Sequence, residues 1–314
     1  MKHQPATSLK ASYLKKSLSG FSALKLQFTL TPLERIQLGP DEVKGDRWRG
    51  GFGEALRRLA CAFRWEKVDC NKCYTTGDCL FHRYFFTDKP HPYLMLPELD
   101  GKRAYTKGEE MLLEILLIGE AAEHADKFVM TVEEMGRMGI GYRRGRFAVK
   151  SVMAADLVDV SEFFEKEDVP VAGCDIELFT PLKIKDGVKG FNYRNLSFES
   201  FFRLLIKRII NLNNLYCNGS IFDKEIIESE KQYLLSLADT VETKTYTEWR
   251  DFKRFSSRQH KSMKIGGLLG IIRYNGDMNH FYPYMKIGEV VGVGQHTTSG
   301  FGRYRLSTAL EMEV

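Results

Sequence analysis

The chain has 314 residues, 43% apolar and 28% charged, the balance of a soluble globular protein of one or two domains and not of a fibre or a disordered chain. The longest apolar run, 111–118, is interrupted by Glu114, and residues 1–10 lack the apolar centre of a signal peptide, which excludes a membrane span on hydropathy and points to the cytoplasm. The net charge is only +5, but Arg143, Arg144 and Arg146 cluster, as do Arg250, Lys253, Arg254, Arg258, Lys261 and Lys264; such clusters suit phosphate contacts, and otherwise form a solvated face.

In chain order, residues 21–30 alternate Leu24, Leu26, Phe28 and Leu30 with small or polar residues, the period of a half-buried strand. The glycine-rich stretch 47–53 then leads into a short predicted helix at 54–60. Next come Cys61, Cys70, Cys73, Cys79 and His82. A Cys-x2-Cys pair sets two thiolates on one tight turn, half of a tetrahedral zinc site. Cys79 supplies a third ligand and either Cys61 or His82 a fourth, so a structural zinc is expected, with an iron–sulfur cluster as the lesser alternative. A buried strand follows at 110–118, then a helix at 121–138 with Ala122, Ala125, Phe128, Val132 and Met135 on one face. A glycine turn carrying the three clustered arginines leads into a strand at 147–152.

Residues 156–171 read as an acidic linker. Beyond them lie an alternating strand at 175–185, with a turn at Asp186–Gly187, and an apolar helix at 198–216. A second helix is capped by Asp223, two strands fall near 241–249 and 266–274, and a short helix at 280–287 precedes the last strand, 303–306. Both halves follow the order βαββαβ, so the expected fold is α+β, a tandem of ferredoxin-like, RRM-like domains. The first would span 1–160 with a cysteine-rich insertion at about 61–82, and the second 161–314 with a C-terminal glycine-rich loop. That loop holds Gly288, Gly292, Gly294, Gly300 and Gly302, followed by Arg303. Glycine tolerates positive φ and close approach, so the loop serves either as a phosphate cradle or as a turn that packs strands tightly. It leads into a strand and lacks a Gly-Lys-Ser/Thr triplet, unlike a Rossmann turn or a P-loop.

The tail from Gly292 to Arg305, GVGQHTTSGFGRYR, resembles the C-terminal glycine-rich loop of the RAMP superfamily, in particular the Cas-six type of CRISPR-associated endoribonucleases that process precursor CRISPR RNA. Three further segments agree in order: Phe255 to Gln259 followed by Gly266 to Gly270, Gly136 to Phe147, and the Cys70 to Cys79 cluster after Ala55 to Leu59. The resemblance implies a ribonuclease that needs no metal for catalysis and drives a ribose 2′-hydroxyl onto the adjacent phosphate, leaving a 2′,3′-cyclic phosphate and a 5′-hydroxyl. Its partner would be CRISPR repeat RNA, often a hairpin, with other CRISPR effector subunits as further partners and no membrane.

The chemistry needs a base, an acid and donors for the charged phosphorane. His296 and His260 are the candidates for proton transfer and Lys261 for the developing charge, with Arg143, Arg144, Arg146, Arg254, Arg258, Lys264 and Arg303 gripping phosphates. Tyr142, Phe301 and Tyr304 would stack on bases or fill the core. Members of the family often carry their histidine on a helix of the first domain, and no clear equivalent stands out here; His3, His91 and His280 read as incidental. The alternative is a non-catalytic RNA-binding subunit of a CRISPR effector complex.

Overall fold

The computed structural model describes residues 12–66, 68–155, 158–164, 171–185, 196–217, 223–256 and 261–308, without the side chains of Ser161, 253–256 and 261–264. After the short helix α1 (Tyr13–Ser17), the first unit comprises β1 (Ser22–Pro32), β2 (Ile36–Gln37), α2 (Asp41–Ala60), α3 (Leu80–Tyr84), β3 (Tyr93–Pro97), β4 (Ala104–Tyr105), β5 (Met111–Ile118), α4 (Ala125–Met138), β6 (Phe147–Ala154) and β7 (Val158–Asp159). The second comprises β8 (Gly173–Leu182), α5 (Phe198–Tyr216), α6 (Lys224–Ala238), β9 (Glu242–Ser256), β10 (Lys261–Asn275), α7 (Tyr282–Val291) and β11 (Tyr304–Thr308).

The sheets run β3-β5-β1-β6 and β11-β8-β10-β9, with every neighbouring pair antiparallel. In each, the opening strand lies between the third and fourth strands of its unit, the ferredoxin-like order. The expected α+β tandem is what the chain forms.

β5 explains why its sequence is nearly all apolar. Leu113, Ile115 and Leu117 enter a core with Trp48 and Phe52 of α2 and Phe128 of α4. Leu116 and Ile118, on the other face, join Leu94 and Leu96 in a second core with Ile176, Leu178 and the phenylalanines of α5. A strand covered on both faces has no polar alternation to show. The second core therefore welds the two units together.

Three expectations change. Helix α2 starts directly after Pro40 and runs through Gly45, Gly50, Gly51 and Gly53, where a glycine-rich loop and a short helix were expected. Trp48, Phe52, Ala55 and Leu56 supply a buried face at helical spacing, and that burial outweighs the poor helix propensity of glycine. Within the stretch expected to be an acidic linker, Asp159 pairs with Ser22 of β1, and the Phe164 ring meets Tyr284 edge-on at 5.2 Å. β9 and β10 are longer than expected. Pairing with β8 covers β10 only from Leu268 to Asn275; Ile265 to Gly267 are still buried, and the β9–β10 ladder runs on past them to Lys261 and Ser256 as a two-stranded arm. The turn expected at Asp186–Gly187 lies outside the described residues.

Candidate nucleic-acid interface

The glycine-rich loop begins at the end of α7. Gly292, Gly294, Gly300 and Gly302 hold φ of 68°, 83°, 75° and 68°, and His296 holds 60°. The amides are spent within the protein: Val293 donates to the Gly302 carbonyl (3.0 Å), Gly302 to Pro181 (2.9 Å) and Gln295 to Lys183 (2.8 Å). Phe301 and Tyr304 are buried, the Tyr304 hydroxyl donating to the Met285 carbonyl at 2.6 Å, so both belong to the interior and not to a stacking surface. Gln295 is exposed and Gly294 and His296 are half-buried, while Thr297 to Gly302 are buried.

What buries them is the other unit. The turn Thr297–Ser299 sits on α2, where Ser299 Oγ donates to Asp46 Oδ1 at 2.7 Å. A methyl group on Gly45 would overlap the Ser299 carbonyl, and one on Gly300 would stand 2.9 Å from the Met95 carbonyl of β3.

One helical turn beyond Gly45 and Asp46, on the same face of α2, is Arg49. Its guanidinium lies 4.5 Å from the centre of the Phe85 ring and 3.4 Å, through Nη2, from His91 Nε2. His91 Nδ1 is 2.8 Å from the Tyr84 carbonyl, which only accepts; the ring proton therefore sits on Nδ1 and the Nε2 lone pair faces Arg49. Burial, with the positive charge of Arg49 added, pulls His91 down to about 4, so the ring is neutral near pH 7. A second arginine, Arg208 of α5, donates from Nε (3.1 Å) and Nη2 (3.0 Å) to the carbonyl of Val291, the last residue of α7. Such a carbonyl has no partner within the helix and carries negative dipole charge. Burial lowers Arg208 to about 10, leaving it charged at neutral pH.

Neither Arg49 nor Arg208 has a carboxylate partner among the described residues. Arg49 Nε has no hydrogen-bond partner there either. Two half-buried cations without an acid, beside a neutral histidine and a glycine loop, form a place for an anion.

Lys44, by contrast, is satisfied. It is wholly buried between Asp41 (2.6 Å) and Asp100 (2.5 Å) and ties the start of α2 to the 98–105 segment.

The arginines singled out from the sequence fall in different settings. Arg144 forms a two-pronged pair with Glu54 (3.0 and 2.9 Å) and Arg146 another with Glu34 (2.9 and 2.6 Å). Both pairs are exposed, so each contributes little to stability. Arg143 is exposed, at φ 67°, with its guanidinium 5.7 Å from the Tyr142 ring centre. Arg303 lies over Phe179 at 4.9 Å. Arg254, Lys261 and Lys264 belong to the two-stranded arm, their side chains outside the description, and Arg258 and His260 lie outside the described residues. The loop meets that part of the molecule through Lys183, whose ammonium lies 5.5 Å from the Trp249 ring centre in β9.

The described residues do not support the metal expectation. No three His, Cys, Asp or Glu side chains converge as a ligand set among the described residues. Cys70 and Cys79 pack against the first core, Cys79 Sγ turning to the Ala60 carbonyl at 3.9 Å, and Cys73 Sγ meets Thr75 Oγ1 at 3.2 Å. Cys61 is buried at the end of α2, and the His82 ring packs obliquely against Phe86. The thiols are neighbours: burial raises Cys70, and Cys61, Cys79 and Cys73 add to this against the opposing charge of Arg57. They do not form a cage, for zinc or for an iron–sulfur cluster.

Sequence reasoning missed Arg49, His91 and Arg208. The helical register 45, 46, 49 would have placed Arg49 beside the loop, but it was hidden by taking 47–53 as a glycine-rich loop. Helix α2 carries no histidine.

Two antiparallel ferredoxin-like units closed by a glycine-rich loop define a tandem ferredoxin-like class of protein. Residues 176–304 match the family model of the CRISPR-associated endoribonuclease Cas6, and residues 21–172 match one described as an N-terminal domain. Residues 176–304 thus carry the domain of the Cas6-type CRISPR-associated endoribonucleases. Among solved structures it is similar to a Cas6 product complex, at TM-score 0.56 and 14% identity over 92% of this chain and 100% of that one. Thermus thermophilus Cas6 follows at TM-score 0.52 and 11% identity over 91% and 99%. A chain of a partial Cas6-RT-Cas1–Cas2 complex reaches TM-score 0.55 at 13% identity, over 93% of this chain and 47% of that one. An uncharacterized protein of Archaeoglobus fulgidus is 22% identical over 294 residues, 83% of this chain and 91% of its own length. No helix among the described residues is long and apolar enough to cross a membrane.

Proposed function

We propose that the protein binds CRISPR repeat RNA where the glycine-rich loop meets α2, and cleaves it without a metal ion. The observation that carries this reading is the seating of Ser299 on Asp46 with Arg49, Arg208 and neutral His91 gathered beside it. We take the two units as domains parted near residue 160, between β7 and β8.

In this mechanism Arg49 swings from His91 onto the scissile phosphate, where with Arg208 it stabilises the phosphorane. The freed Nε2 of His91 accepts the proton of the 2′-hydroxyl as that oxygen attacks phosphorus. The P–O5′ bond breaks, and His296, half-buried on the loop, protonates the departing 5′-oxygen. The products are a 2′,3′-cyclic phosphate and a 5′-hydroxyl. His260 and Lys261 of the arm are second candidates for proton transfer and charge stabilisation, and Arg143, Arg144, Arg146, Arg254, Arg258, Lys264 and Arg303 would hold flanking phosphates.

The test is incubation with repeat RNA in EDTA, with analysis of the new ends. A cyclic phosphate, lost in Arg49→Ala and slowed at least tenfold in His296→Ala, supports the reading; equal cleavage by both variants removes these residues from it.

A second reading is a non-catalytic RNA-binding subunit. It is favoured by the absence of histidine from α2 and by the low basicity of His91. Tight, salt-dependent binding of RNA that stays intact would establish it.

A further inference from the structure

Among the described residues the cysteine lobe at the far end of α2 shows no metal-ligand group, yet it presents the most exposed aromatic rings there: Trp65 at 76% and Tyr74 at 84% exposure. Rings of this size are rarely left so open without a use. The guanidiniums of Arg58 and Arg64 each lie 5.8 Å from the centre of the Trp65 ring. Phe63 meets Tyr74 edge-on at 5.3 Å. The lobe is anchored from below, with Arg57 Nη2 donating to the Glu66 carbonyl (3.2 Å), Asp69 capping the turn at Asn71, and Cys70 and Cys79 packed against the core.

Helix α2 connects this lobe with the bed of the glycine loop. Gly45 and Ala60 are separated by ~22 Å of helix, at ~1.5 Å per residue. Arg47 is exposed on the first turns of this helix. Halfway along, the Arg144–Glu54 pair holds the turn bearing Tyr142 and Arg143 against α2; Tyr142 is 61% exposed under the Arg143 guanidinium. The same device therefore occurs twice on one side of the first unit: an open ring with arginine over its face.

We infer that the Trp65–Tyr74 lobe is a second RNA-contact surface, which stacks unpaired bases flanking the portion of RNA held at the glycine loop. The inference rests on the reading of the chain as an RNA-binding protein. Stacking needs only a flat face and so tolerates any base, and arginine adds its charge toward the neighbouring phosphate. An apolar protein segment would gain little from rings capped by guanidinium groups, so single-stranded RNA is the occupant that fits.

Of the three tryptophans, Trp48 is fully buried and Trp249 half-buried, so Trp65 dominates any change of intrinsic fluorescence on base stacking. The experiment titrates the full-length protein with oligouridine and with a repeat hairpin trimmed of its flanks. Parent, Trp65→Ala/Tyr74→Ala and Arg49→Ala/Arg208→Ala proteins are compared, each checked by thermal melting. Parent fluorescence should be quenched by oligouridine. The lobe variant should lose at least ~5-fold in oligouridine affinity, the equivalent of one lost stack, and hold the trimmed hairpin within twofold. Absent quenching, or parental oligouridine affinity in the lobe variant, overturns the inference; if the loop variant alone then loses hairpin binding, the loop reading stands without it. Quenching and lobe dependence with no effect of the loop variant would keep the lobe and remove the loop site.

Discussion

The glycines of α2 and those of the tail loop use the same missing side chain in opposite ways. In α2 the backbone is helical, and Gly45, Gly51 and Gly53 let Ser299, Met135 and Phe85 approach where a methyl group would overlap or crowd them. The helix loses about 1 kcal/mol of propensity at each such position relative to alanine and recovers it in packing. In the loop φ is positive at Gly292, Gly294, Gly300 and Gly302, so glycine is favoured by φ before any neighbour is considered. One set is replaceable wherever a helix has room; the other is not.

The sharpest way to break this comparison is to substitute one glycine of each kind. Gly302→Ala combines a forbidden φ with overlap on the Val293 carbonyl, and should lower stability by roughly 3 kcal/mol or more in urea unfolding, with loss of RNA binding.

Lys44→Ala tests whether α2 is held by charge as well as by its glycines. It strands Asp41 and Asp100, which are 25% and 16% exposed, and should cost about 3 kcal/mol, the lower end for a broken buried pair.

His91 adds a pH dependence beside the seam. Its folded value of about 4 lies below the ordinary 6.5, so below pH 6.5 the unfolded chain takes up a proton that the folded chain refuses. The contribution is complete above pH 6.5 and is lost as pH falls toward 4, up to about 3 kcal/mol. Urea melts from pH 7 to pH 4.5 should show this slope in the parent and a flatter one in His91→Asn.

Ser299→Ala removes the hydroxyl from the Asp46 carboxylate and should cost about 1.5 kcal/mol, as for a hydrogen bond to a charged group. The smallest effect has the opposite sign. Gly50 is helical, exposed and has open space around its Cβ position, so Gly50→Ala should raise stability by about 0.5–1 kcal/mol. A loss there would erase the distinction between the two kinds of glycine.

The same distinction explains what could be read without the structure. The strands at 22–32, 111–118 and 173–182 announced themselves by alternation or by continuous apolar runs, and the repeated element order was enough for a tandem ferredoxin-like fold. Asp223 was legible as a cap and accepts from the Glu225 amide as expected. Helix α2 was not legible along its whole length, because four glycines in nine residues outweigh, by eye, the spacing of Trp48, Phe52 and Leu56. With that helix went the register of Arg49. Arg208 and His91 were beyond reach for another reason: they lie in different units, near enough for the charge of Arg208 to act on His91, and no local pattern encodes the nearness of residues so distant in the chain. Spacing also overvalued the cysteines, since Cys-x2-Cys specifies a turn but not the direction in which each sulfur points.

Asp46 and Ser299 stand 253 positions apart. The seam they form cannot exist until almost the whole chain has left the ribosome, whatever has folded before it. A nascent chain halted anywhere in the second unit would carry α2 with its bed for the loop open and no partner to lay in it. Acquisition of the seam is in this sense all-or-none in time: a chain that stops before Ser299 has no weaker version of that contact.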